Sequence, residues 1–327
     1  MRLVLTPGYL LVAAVAFFTC GAAGALAESY PTKAIRMLDG FPPGGGTDFL
    51  SRTIGQKITE SWGQSVIIDN RPGASSNIGA EMAARAAPDG YTLFMGLTSV
   101  LAPSMTLYPK LPYNLLKDLA PVSQVASGVY VLLVSNSLSV KSVQELIVLA
   151  KSKPGQLNYA SSGVGSPSHL AGELFNLRAG VSIVHLAYKG GAPAAAAIAS
   201  GESQLTFVSV PAGMPLVKAG KAKAFAVTTP QRSRALPDVP TIAESGLPGF
   251  DITVNYGIFA PSGTPMAIIT KLNREISAIL KYPDVIERLA AFGLEAKGST
   301  PQQFSDVVRQ EVNLWAKVIK EAKIEVE

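Results

Sequence analysis

The 327-residue sequence predicts an α/β protein of two lobes joined by a hinge, on three observations. Short apolar runs alternate with helical stretches almost from end to end, the pattern of largely parallel sheets covered by helices. Two apolar strands, at 129–134 and 252–259, divide the chain into three parts. A helix-rich tail follows the second of them and is expected to pack back on the first part. This gives one discontinuous domain, residues 28–126 and 253–327, and one inserted domain, 127–252, joined by two crossings with a cleft between them. Closure around a ligand is a standard use of such a hinge.

Residues 1–27 read as a secretory signal. Arg2 supplies the positive end, 10–18 is nearly continuous apolar sequence, and Ala25-Leu26-Ala27 is a small-x-small cleavage site. The apolar run is shorter than the ~20 residues a spanning helix needs. Export to the periplasm with cleavage after Ala27 is expected. Cleavage ahead of a lipid-modified Cys20 is the lesser alternative, because Phe17-Phe18-Thr19 is bulky for such a site. Strands then follow at 35–38, 66–69, 92–95, 129–134, 158–160, 183–186, 205–208, 224–228 and 252–259. Helical patterns occupy 48–62, 78–86, 142–151, 167–179, 193–200 and 211–219. In the tail, 265–280 puts Ile268, Ile269, Leu272, Ile276 and Ile279 on one face, and 301–322 does so with Phe304, Val307, Val308, Trp315 and Val318. Pro265, Pro283 and Pro301 stand where first helical turns begin.

Composition narrows the chemistry. With 48% hydrophobic and 16% charged residues the chain is neither disordered nor a coiled coil. One cysteine excludes an internal disulfide or a multi-cysteine metal centre, and His169 and His185 are scant material for a histidine site. A net charge of +5 suits a small anionic partner and does not call for nucleic acid. No cofactor or metal is expected.

A repeated device carries the functional signal. Four glycine–serine loops each follow a strand and open a helix: Phe41-Pro42-Pro43-Gly44-Gly45-Gly46-Thr47-Asp48, Arg71-Pro72-Gly73-Ala74-Ser75-Ser76-Asn77-Ile78-Gly79, Ser161-Ser162-Gly163-Val164-Gly165-Ser166-Pro167-Ser168-His169 and Tyr188-Lys189-Gly190-Gly191-Ala192-Pro193. Free N–H groups at a helix start carry partial positive charge, and glycine lets a ligand approach the backbone. Taken singly each loop is an ordinary capped turn. Four of them, two in each domain, favour a cleft for an anion held without a buried Lys or Arg. The P-loop ending Gly-Lys-Ser/Thr and the third glycine of a dinucleotide fingerprint are both missing, so nucleotide binding is rejected.

Ser166 and His169 share a helical face and could form a serine nucleophile with its base, but no Gly-x-Ser-x-Gly elbow or third triad member accompanies them. A non-enzymatic role is expected. His185 reads as a satisfied core residue, Asp48 as a helix-start cap, and Arg71 as a ligand contact or a partner for a neighbouring acid. Lys218, Lys221 and Lys223 read as a solvated turn, and Trp62 and Trp315 as core. Phe41, Tyr188 and Tyr256 adjoin glycines where an aromatic can wall a pocket.

These loops, together with Tyr30-Pro31, Asn70-Arg71-Pro72-Gly73-Ala74, Ala87-Pro88-Asp89-Gly90-Tyr91-Thr92-Leu93, Pro237-Asp238-Val239-Pro240-Thr241 and Ala260-Pro261-Ser262-Gly263-Thr264-Pro265, resemble the Bug-type (TctC-like) solute receptors of tripartite tricarboxylate transporters over essentially the whole mature chain. The resemblance implies a two-domain, periplasmic-binding-protein-like (type II-like) fold. It implies a monomer that closes on a small carboxylate and passes it to a large and a small membrane permease subunit, or in some cases to a sensor. The residues it points to are Phe41, Gly44, Gly45, Thr47, Ala74, Ser75, Ser76, Ser162, Gly163, Ser166, Tyr188 and Val208. Relatives commonly carry an Asp where this chain has Val208, and another at Gln204. The change suggests a carboxylate without an ammonium group, a non-amino di- or tricarboxylate or an aromatic acid. Asn255, where a Trp is common, is expected to widen the pocket.

Overall fold

A computed structural model describes residues 30–325, so the signal-peptide reading and Cys20 lie outside the described residues. The first half opens with β1 (Ile35–Asp39), α1 (Gly46–Trp62), β2 (Val66–Asn70), α2 (Asn77–Ala84), β3 (Thr92–Leu97), α3 (Thr98–Leu107) and the short α4 (Leu115–Asp118). The long β4 (Leu119–Ser135) carries the chain into the second half. There it forms α5 (Val143–Ser152), β5 (Asn158–Ser161), α6 (Pro167–Ala179), β6 (Val184–Ala187), α7 (Gly191–Ser200), β7 (Leu205–Ser209), α8 (Val210–Lys218) and β8 (Ala222–Val227). The chain returns through β9 (Thr253–Pro261) and ends with α9 (Met266–Ile279), α10 (Pro283–Ala291), β10 (Leu294–Ala296) and α11 (Pro301–Ala322).

The strands run in the order β2-β1-β3-β9-β4-β7-β5-β6, with β10 and β8 also paired to β4. β4 is the shared element. Its residues 119–129 pair with β9 in the first half, and 130–135 pair with β7 and β8 in the second. Register shifts between Pro121 and Ser123 and between Gln124 and Ala126 absorb a proline that cannot donate to the ladder. β1, β2 and β3 are parallel, as are β5, β6 and β7. In each half the carboxyl ends of these strands therefore share one edge.

Core packing follows the helix periodicities. One face of the first sheet is covered by α1, α9 and α10 through Leu50, Ile54, Leu272, Ile276 and Leu289. On the other face α2, α3 and α11 meet around Phe94, Phe259 and Phe304, and this cluster continues unbroken into α5 and α6 of the second half. α11 is fixed at its start by a reciprocal Thr300–Gln303 capping box with Pro301 behind it. Its buried Trp315, Val318 and Ile319 reach the cluster that both halves share.

Candidate functional site

The topology sets the carboxyl strand ends of both halves, from which the four loops leave, beside the two crossings. β3 meets β9 antiparallel with Leu97 opposite Tyr256, which sets the carboxyl ends of β1–β3 beside the point where β9 enters the first half. β7 meets β4 with Ser209 opposite Tyr130, which sets the carboxyl ends of β5–β7 beside the other crossing. Ligands of open α/β sheets bind outside carboxyl strand ends at such places.

In the first half the loops are built around buried carboxylates. Asp39, at the end of β1, accepts the Phe41 N–H at 2.9 Å and the Ser51 hydroxyl at 3.2 Å. Burial raises its pKa, and hydrogen bonds from Phe41, Thr47 and Ser51 oppose the rise. Asp48 accepts the Gly44 N–H at 3.0 Å and Asn70 Nδ2 at 3.1 Å and pairs with Arg52 at 2.9 Å. Burial opposes its ionisation, but these partners together hold its pKa low. Asp48, expected as a helix-start cap, stands inside the first turn after the N-cap Gly45, which has no side-chain cap, and anchors the preceding loop instead. Arg71 is bound to Asp69 at 2.8 Å, the ion-pair alternative of its two readings.

Ala74, Ser75 and Ser76 have φ of 45°, 53° and 70°, three successive left-handed residues that are not glycine. Such conformations are sparsely populated and concentrate at ligand clamps. Successive N–H groups in turn conformations form an anion-binding concavity. The N–H groups of Gly73 to Ser76, and those of Gly45, Gly46 and Thr47 next door, find no acceptor among the described residues. The two loops touch, because a Cβ on Gly40 would lie 1.8 Å from Ser76 Oγ. Thr47 itself is buried, and its hydroxyl supports Asp39. Phe41 is half-buried, and Gly44 and Gly45 are exposed.

The Ser161–His169 loop of the second half is cross-linked by its own serines and histidine. Ser168 Oγ accepts the Ser162 N–H at 2.9 Å, and Ser161 Oγ accepts the Gly163 N–H at 3.1 Å. Gly163, at φ 129°, occupies backbone space closed to other residues. Ser166 donates its hydroxyl to the Gly163 carbonyl at 2.6 Å. His169 Nδ1 accepts the Gly165 N–H at 3.0 Å, and its Nε2 faces Glu173 at 3.9 Å. With both partners engaged elsewhere, the Ser166–His169 pairing imagined for a nucleophile is not made. His185 is tied to Ser161 Oγ at 2.6 Å. Burial, with His185 adding, lowers His169 to about 3, and burial lowers His185 to about 4.

Tyr188 keeps its place on the fourth loop, whereas Val208, Gln204, Asn255 and Lys223 depart from expectation. Tyr188 packs on Ala160, Ala194 and Ala197, and Glu202 beyond the end of α7 engages its hydroxyl. Val208 is 8% exposed and packs among Val131, Leu133 and Val210, beneath Gly213. Gln204 stands before the first residue of β7, at the edge opposite the crevice, and accepts the Asn158 N–H. Asn255 turns from the crevice to bond Glu311 and Gln124, so it does not widen the pocket; adjacent side chains of a strand face opposite ways, and it is Tyr256 that faces Gly46. Lys223 is no solvated residue, since its ammonium donates to the Leu138 carbonyl at 3.1 Å. A cavity of about 460 Å³ exists on the α11 side of the crossing strands, and none of the four loops lines it.

Residues 50–324 match the tripartite tricarboxylate transporter family receptor, TctC. The chain belongs to this receptor family. Protein BugT of Bordetella pertussis is 38% identical over 315 residues, spanning 95% of this chain and 97% of BugT. A Rhodopseudomonas palustris protein solved with adipate is 38% identical, with a TM-score of 0.79 over 90% of this chain and 99% of that one. MatC from the same organism, solved with bound malate, is 32% identical, with a TM-score of 0.75 over 89% and 100% of the two chains. The TctC receptor fold is the two-domain, periplasmic-binding-protein-like architecture seen here, and the family is one of solute receptors. Among the described residues no helix is long and apolar enough to cross a membrane.

Proposed function

We propose that this TctC-family chain is a periplasmic receptor that captures a small, non-amino carboxylate between its two halves and delivers it to the membrane subunits of a tripartite transporter. The observation that carries this reading is the left-handed run Ala74–Ser76, which lies against Gly40 just after β1 and leads into α2, with its N–H groups unclaimed. One ligand carboxylate sits there, held by backbone donors and by the positive end of a helix. The domains are residues 28–126 with 253–327, and 127–252. They close about the crossings in β4 and β9, bringing Ser162, Gly163 and Ser166 onto the far end of the ligand.

Relatives solved with adipate and with malate support a dicarboxylate. The preference against amino acids rests on those two bound acids, since Val208 lies in the core and Gln204 at the wrong end of its strand. Thermal shift tests the reading with adipate, malate and aspartate. Ligand at 100 times its Kd adds about 2.7 kcal/mol to stability. Adipate or malate should raise the melting temperature and aspartate should not; aspartate as the strongest stabiliser would overturn the ligand class.

A further inference from the structure

The cavity of about 460 Å³ has walls from both halves, with α11 and β10 on one side and the 229–233 segment after β8 on the other. At its base Glu311, on α11, ties the two crossing strands together. Its Oε1 accepts Asn255 Nδ2 of β9 at 2.6 Å and Thr98 Oγ1 at 2.8 Å, and Asn255 Oδ1 accepts Gln124 Nε2 of β4 at 2.7 Å. The second oxygen, Oε2, is buried and has no hydrogen-bond partner. Asp251, Glu295, Arg232 and Lys297 are the other charged groups around this space. Arg232 is paired with Glu244 at 3.0 Å.

Tyr256, next to Asn255 in β9, faces Gly46 at the crevice, so crevice and cavity lie on opposite faces of the crossing strands. A closing rotation about those strands would spread the opposite face and open Glu311 to water. Resting on the closure proposed above, we propose that Glu311 is a positioning residue for ligand capture, coupling closure of the crevice to release of one proton. Burial pushes the Glu311 carboxyl up to about 7; the hydrogen bonds from Asn255 and Thr98 oppose the rise, and the Asp251 charge adds to it. The group thus changes charge near neutral pH. Hydration in the closed form favours the carboxylate, so by linkage rising pH favours closure.

The test needs no ligand. Spin labels at Ile67→Cys on β2 and Val184→Cys on β6, which are 56% and 45% exposed in the native chain, report the separation of the halves in a Cys20→Ser background. Between about pH 6 and pH 8, one unit either side of the titration, the closed fraction should rise about two-fold or more. Glu311→Gln keeps an oxygen for Asn255 and Thr98 but carries no charge, and it should hold its pH 6 distribution throughout. The two histidines titrate well below this window. Saturating adipate is the control for closure. Labels that respond to adipate but not to pH, or a Glu311→Gln protein with the native pH response, would overturn the inference alone. A separation moved by neither pH nor adipate would overturn closure and the inference with it.

Discussion

His169 and His185 stack beneath the crevice with ring centroids 3.9 Å apart and planes 17° from parallel. Each ring is claimed by its own loop, His169 by the Gly165 N–H and His185 by the Ser161 hydroxyl. Two imidazolium ions could not stack this way, and burial holds both rings well below the usual histidine range, so near neutral pH the pair is uncharged.

The pH dependence of stability follows. Both pKa values lie below the unfolded value of about 6.5, so between the two states it is the unfolded chain that binds more protons. The contribution of the pair is complete above pH 6.5 and is lost as pH falls toward about 4 and then 3. Urea melts at a series of pH values should show stability declining over that window, and His185→Phe should flatten the decline. An unchanged slope in the variant would place the acid sensitivity elsewhere.

Gly40→Ala sets a methyl group against Ser76 Oγ, where 1.8 Å is available. The strand or the left-handed loop must give way, at about 1–3 kcal/mol by the usual cost of overpacking. Calorimetric titration should show dicarboxylate affinity falling at least about ten-fold. Native affinity in a folded Gly40→Ala protein would separate the loop from binding.

Ala74→Gly removes a Cβ from a residue at φ 45°. Relief of the left-handed strain is worth about 1 kcal/mol, offset in part by the greater freedom of glycine in the unfolded chain. Chemical denaturation should therefore find the variant as stable as the native protein or more so. A loss of 1 kcal/mol or more would show that the loop is not strained.

Asp48→Ala strips the Gly44 N–H, Asn70 and Arg52 of their common acceptor. Gly44 and Arg52 are exposed and Asn70 is half-buried, so the loss should be nearer the net worth of a hydrogen bond, about 0.5–1.5 kcal/mol. The variant should melt earlier and bind dicarboxylate more weakly. Asp48→Asn, which keeps one acceptor oxygen, should recover part of both.

Much of this architecture was legible because its signals are local. Proline at a first turn located α11 at 301–322 and glycine–serine loops located the helix starts. What escaped was set by tertiary surroundings. α3 is a run of small and apolar residues with Pro103 inside it, buried on nearly every side, so it has no period to read. The first part of β4 carries Pro121 and two register shifts, which disguise a strand that needs both partners to form. At the site, residue type marked the loops, but direction did not follow from it. Val208 and Asn255 were placed at the crevice by analogy, and the alternation of their strands turns one into the core and the other toward Glu311.

The central claim, that backbone donors of the first half hold a ligand carboxylate, is tested most directly by calorimetric titration of adipate and malate into the native protein and Gly40→Ala. The account predicts saturable binding of at least one of these acids by the native protein, lost or weakened about ten-fold or more in the variant. Equal binding by both proteins would contradict it, as would native protein that binds an amino acid and neither dicarboxylate.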